Sequence, residues 1–166
     1  MRWAAYLILV YMAIGLQVGL QAYVRTDGGS RPDLILLAVL FIALNAPRDA
    51  ALLGAFGIGV VSDLVTVGPL GLYALAYSLV ALFVVSAADL LAKSHPVTHF
   101  AVALAGGLIA GLVVLIHGWV RGPSVPVGVI FGSAVYTALL SPIVLGLLQL
   151  IKGLFAFQSR RRSRAF

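Results

Sequence analysis

The sequence contains no cysteine and no glutamate, and charged residues make up only 10% of its 166 positions. Without cysteine there is no disulfide framework, no thiol nucleophile and no thiolate metal site, whatever compartment the loops face. Five aspartates carry all the side-chain acid. Three of them, Asp27, Asp33 and Asp49, fall in or beside loops, where capping and solvation account for them. His95, His99 and His117 are spread over two helix ends and do not have metal-ligand spacing. Nothing groups a nucleophile with a base, two carboxylates or a metal cluster, so the expectation is a protein that is not an enzyme and uses no cofactor. The net charge of +6 raises the question of nucleic acid. Four of the cations, however, sit in the final SRRRSRAF, with no aromatic-rich basic surface to accompany them, and this reads as a tail at a membrane surface rather than a nucleic-acid site.

Apolar residues dominate: 62% of the chain is hydrophobic and the mean hydropathy is +1.11. That leaves too little polar surface to cover a soluble globule and predicts an integral membrane protein. Six apolar runs cover 3–24, 34–46, 50–66, 70–92, 97–120 and 127–157. The first is too long for the core of a secretory signal and is read as a retained span. The second is about 20 Å of helix against a hydrocarbon core of about 30 Å, so it crosses only with bilayer thinning or protein cover. Joining 34–66 into one kinked helix would put Arg48 and Asp49 deep in the membrane, so two helices with a tight turn are expected. The last run exceeds one crossing, and Ser141-Pro142 supplies a kink.

Within these runs the small and polar residues carry the information. Stepping back by four from Asp63 reaches Gly59, Ala55 and Ala51, a stripe that admits another helix closely and places the acid on a packed or wet interior face. A carboxylate at a helix centre facing lipid would cost about 2.5 to 3.5 kcal/mol even on a lenient scale. Its expected use is structural, as a hydrogen-bond partner of loop backbone or of another helix. Gly68-Pro69-Leu70-Gly71 then breaks the chain. In the first run Gly15 and Gly19 form a packing strip, with Gln17 and Gln21 beside it for interhelical hydrogen bonds. Ser30 is expected to cap the second helix, with Asp33 in its first turn. Asp89 and Lys93 make an i,i+4 pair at a helix end. Ala103, Gly107 and Gly111 share one row, with His99 at its head; His99 and His117 are read as boundary residues. Gly128 and Gly132 form a GxxxG, and Ser133, Thr137 and Ser141 a hydroxyl row. No basic or polar groove for a lipid is visible.

Six spans put both termini on one side. Arg2, Arg48, Lys93, Lys152, Arg160, Arg161, Arg162 and Arg164 then face Arg25, Arg31 and Arg121 across the membrane, which makes the termini cytoplasmic. Five spans would move the N-terminus and Arg2 outside. The expected organisation is a single transmembrane helical domain over 1–157 and a basic cytoplasmic tail over 158–166.

Pro32-Asp33 followed by LILLAVLFIAL, the Pro47-Arg48 break, Gly59, Asp63-Leu64 and then Gly68-Pro69-Leu70-Gly71-Leu72-Tyr73-Ala74-Leu75 resembles the bacterial rod shape-determining MreD family. The likeness covers most of the chain, and its specific part is 32–75. It implies a non-enzymatic subunit of the elongation machinery in the bacterial inner membrane, bound to MreC and through it associated with MreB, RodA and RodA's penicillin-binding transpeptidase. It also implies an all-α six-helix membrane bundle similar to the substrate-binding components of energy-coupling-factor vitamin transporters, which makes a vitamin-binding subunit the alternative function. Pro32, Asp33, Gly59, Asp63, Pro69 and Gly71 are the family motif positions, and the resemblance assigns them no individual roles.

Overall fold

The shortest helix lies at the centre. The computed structural model describes residues 3–20, 23, 29–66, 69–87, 95–122, 126–151 and 153, and among them the chain forms six helices and no strand. These are α1 Trp3–Leu20, α2 Leu34–Asn45, α3 Arg48–Val65, α4 Leu72–Ala87, α5 Pro96–Arg121 and α6 Val127–Leu150. In α2 every residue from Ile35 to Leu44 is buried, and it is the helix in contact with all five others. A helix that is apolar on every side has no face suited to water and belongs inside. The short second run thus has protein cover over its whole length.

Enclosure also solves the problem of its ends. At about 1.5 Å per residue α2 is about 18 Å long, so its unpaired terminal groups would lie inside a hydrocarbon layer of about 30 Å. Protein groups meet them instead. At the start, Asp33 is the N-cap, and its Oδ1 accepts the Leu36 amide at 2.8 Å. At the far end, the Asn45 side-chain amide donates to Phe41 O at 2.8 Å and the Ala46 amide to Ile42 O at 2.8 Å. Capping by Asp33 corrects the expectation for Ser30. Pro32 fixes the chain just ahead of the helix, and only the residue after it is close enough to reach the first turn.

The outer helices pack by way of their small residues. On α5 a side chain added at Gly107 would meet Ala134 Cα of α6 at 3.0 Å, and one at Gly111 would run into Ile130, so the glycine row is the α5–α6 contact. His99, read as a boundary residue, is buried at 4% exposure within that packing. The strip of Gly15 and Gly19 behaves differently, since nothing among the described residues lies within 4 Å of a side chain added at either. Among the described residues α1 touches α2 and α3 and no other helix, and the Tyr6 hydroxyl ties it to α3 by donating to Gly54 O at 2.8 Å. The helix limits also shift. α3 begins at Arg48, α4 begins at Leu72, and α6 runs through Pro142 to Leu150. The Asp89–Lys93 pair and the basic tail lie outside the described residues.

The exterior is apolar around the whole bundle, with Leu7, Tyr11, Leu53, Phe56, Leu75, Leu112, Phe131 and Ile143 all exposed. Patches on this scale mark a surface that meets something other than water. By length and composition α5 and α6 can each cross a membrane; α1, α2 and α4 are apolar but shorter, so the six-span expectation is supported for two of its helices.

Candidate functional site

Asp63 lies in the last turn of α3, which ends at Val65, and is 3% exposed. Its carboxylate accepts three backbone amides: Gly71 on Oδ2 at 2.9 Å, Tyr73 on Oδ1 at 2.8 Å and Ala74 on Oδ2 at 3.1 Å. The reason is visible at the start of α4. The first turn of a helix leaves amides without intrahelical acceptors, and Ser, Thr, Asp or Asn at the N-cap normally takes one or two of them. Here Gly71 precedes the helix with φ +96°, a left-handed conformation that suits glycine and provides no side chain for capping. Asp63 caps α4 from the neighbouring helix instead. The remaining amides are also placed, with Leu72 N donating to Pro69 O at 3.4 Å and Leu75 N to Gly71 O at 2.9 Å.

Gly59, one turn earlier on the same stripe, makes this cap possible. A Cβ there would overlap Ala74 Cα and lie 2.6 Å from both Ala74 N and Tyr73 O. Only hydrogen at that position lets the start of α4 sit against α3 at capping distance.

Pro32 and Asp33 belong to a second joint, around the start of α2. The Gln17 side chain of α1 donates to Pro32 O at 3.1 Å and accepts from Leu34 N at 2.7 Å. Asp33 N donates to the Thr137 hydroxyl of α6 at 2.8 Å, and Arg31 N to that of Ser133 at 3.2 Å. Two of the three hydroxyls in the α6 row, Ser133 and Thr137, therefore hold the 30–33 segment, while Ser141 donates to Ala138 O of its own helix. Gly132 is the point of closest approach, where an added side chain would strike the Ser30 hydroxyl, and Gly128 faces nothing within 4 Å, so the GxxxG is not a helix-pairing motif here.

The two joints meet on α4. Tyr77 donates its hydroxyl to Asp33 Oδ2 at 2.9 Å, and its ring lies 5.6 Å from that of Tyr73, whose amide is bound by Asp63. Gly59, Asp63 and Gly71 thus form one cluster and Pro32 and Asp33 another; Pro69 sits in the exposed turn, contributing its carbonyl to Leu72. Tyr77 and Thr137 complete the arrangement. Sequence reasoning missed Tyr77, although its i,i+4 spacing from Tyr73 was a usable signal, since it stacks two phenols on one face of α4. No group of three or more metal-ligating side chains occurs among the described residues.

These bonds hold helix ends together, so their loss should register as stability. Gln17→Leu removes both partners of the Pro32–Leu34 segment and is expected to cost about 2 kcal/mol, at about 1–3 kcal/mol for each buried polar group left unpaired. The check is the unfolding midpoint of the purified protein in a fixed detergent, which should fall below that of the parent.

A comparison with protein families is consistent with the arrangement. The model of the rod shape-determining protein MreD matches residues 1–157. No curated protein matches the chain, and no solved structure does. With nearly its whole length covered, the chain belongs to the MreD family, and so to the membrane proteins that determine rod shape.

Proposed function

We propose that the protein is a non-enzymatic scaffold subunit of the bacterial elongation complex, binding MreC directly and reaching MreB, RodA and its penicillin-binding transpeptidase through that complex, in support of peptidoglycan synthesis. Membership of the shape-determining family over 1–157 is the observation that carries this reading. The use of the polar side chains supports it. Gln17, Asp33, Asp63, Tyr77 and Thr137 all hold one helix to another, as befits a rigid platform. The energy-coupling-factor reading has no comparable support.

The same reading places the chain in the inner membrane as a multi-pass bundle of six helices, with lipids around its apolar exterior. α1 and α3, of 18 residues each, are about 27 Å long, close to the thickness of the hydrocarbon core. The short α2 needs no lipid contact. Eight cations on one side and three on the other, among the eleven in the sequence, favour cytoplasmic termini.

Copurification is the direct test. Tagged protein extracted from rod-shaped cells in mild detergent or lipid discs is expected to retain MreC in a stable ratio. Recovery without MreC, from membranes in which MreC is abundant, would overturn the scaffold reading.

A further inference from the structure

Next to the α2 joint the helices enclose a cavity of about 330 Å³, partly open. That volume is at the lower end of the range of about 300–1,000 Å³ typical of small-molecule sites. The sequence offered no polar groove, yet one side of this space is polar. Asp33, Tyr73 and Tyr77 line it together with Arg31, and so does the small apolar surface of Gly107, Gly111 and Ala134.

Hydrogen-bond accounting separates the groups that are occupied from those that are free. The Asp33 carboxylate accepts the Leu36 amide on Oδ1 and the Tyr77 hydroxyl on Oδ2. The Ile35 amide is also directed at this carboxylate, so of the about four acceptor sites of an ionised carboxylate about one remains. Asp33 is half-buried as a residue and lines the cavity. The Tyr73 hydroxyl makes no hydrogen bond among the described residues. No buried side-chain nitrogen or oxygen there lacks a partner, so the Tyr73 oxygen must be accessible. Arg31 is fixed through its backbone to Ser133, while its side chain is exposed and makes no ion pair among the described residues. The cavity therefore has a free acceptor site on Asp33, a spare phenol, and a guanidinium held on the same segment two residues away.

We propose that this cavity binds a zwitterionic aminophosphate group of the phosphoethanolamine type, with its ammonium on Asp33 and the Tyr73 hydroxyl and its phosphate on the Arg31 guanidinium. An ammonium carries three donors and no acceptor, which matches a carboxylate and a phenol with vacant lone pairs. A guanidinium presents a planar fork suited to the oxygens of a phosphate. The methylene groups between the two charges would lie on the glycine and alanine surface. Such a group is available from two sources, the headgroup of a membrane lipid and a soluble glycerophosphate ester. The inference goes beyond the scaffold reading and does not depend on MreC.

The full chain in detergent would be titrated with phosphatidylethanolamine, phosphatidylglycerol and glycerophosphoethanolamine, following adducts by native mass spectrometry and stability by thermal shift. Phosphatidylethanolamine is expected to be retained in preference to phosphatidylglycerol. Tyr73→Phe and Arg31→Gln are each expected to weaken that retention about tenfold, the loss of one hydrogen bond to a charged group. Among the described residues the Tyr73 hydroxyl makes no hydrogen bond, and the exposed Arg31 side chain acts on Asp33 and Tyr73 by charge without an ion pair, so both variants should remain folded. Stabilisation by glycerophosphoethanolamine would identify a soluble source and stabilisation by the lipid alone a headgroup; either supports the site. Equal retention of the two lipids, no stabilisation by either ethanolamine compound, or variants that bind like the parent would overturn it.

Discussion

Gly59→Ala should lower the stability of the protein substantially, whereas Gly15→Ala should leave it unchanged or slightly more stable. The two substitutions add the same methyl group to a helix interior, where alanine is favoured over glycine by about 1 kcal/mol. Surroundings decide the sign. At Gly15 nothing among the described residues lies within 4 Å of the new carbon, so the propensity gain stands alone. At Gly59 the new carbon would overlap Ala74 Cα and lie 2.6 Å from Ala74 N and Tyr73 O, all main-chain atoms that cannot rotate away. Overpacking costs about 1–3 kcal/mol where side chains can shift. Here α4 must move bodily, and its start would leave the Asp63 carboxylate, which adds the cost of unpaired amides. We expect a net loss of about 3 kcal/mol or more, read as a lower unfolding midpoint and a smaller monodisperse yield in one detergent. Equal midpoints for the two variants would mean that α3 and α4 do not approach as closely as described.

That contrast also shows what could be read from residue order. The stripe of Ala51, Ala55, Gly59 and Asp63 is buried as its spacing implied, because a four-residue step along a helix is a local property. Gly15 and Gly19 have the same spacing and meet nothing among the described residues, since spacing identifies a face and not its neighbour. The family was legible from the 32–75 motif and holds over 1–157. The central position of α2 was available in principle. A run apolar on every side implies enclosure as readily as a short span, and the length argument drew attention to the second. Partners were the least legible. Asp63 binds main-chain amides of Gly71, Tyr73 and Ala74, and amides carry no residue signature. The indirect clue was a helix start with glycine where a capping side chain belongs, eight residues after an unexplained acid. The burial of His99 was not legible, because it depends on what packs against α5, which sequence position does not show.

Asp63→Leu is expected to have the second large effect, and Asp63→Asn separates its causes. Leucine has the same branched skeleton as aspartate but is bulkier, so the α3 stripe must take in extra volume while all three acceptor contacts are lost. The amides of Gly71, Tyr73 and Ala74 then face an apolar surrounding without partners, at about 1–3 kcal/mol each before relaxation. A total of about 3–5 kcal/mol is a large share of the roughly 5–15 kcal/mol that typically holds a domain together. Asparagine keeps one oxygen, enough for the Tyr73 amide, but turns an NH₂ group toward the donors of Gly71 and Ala74. Donor facing donor cannot pair, so Asn should recover only part of the loss. A purely steric role would instead make Asn, the nearer isostere, equal to the parent. The ordering expected in thermal unfolding is parent, then Asn, then Leu, with Asp49→Leu, on the exposed first turn of α3, close to the parent. Amide exchange gives an independent readout, because the first turn of α4 should lose protection in both variants while the middle of α2 keeps it. If the Asp63 variants unfold like the parent and protect those amides equally, the start of α4 is held by something other than this carboxylate.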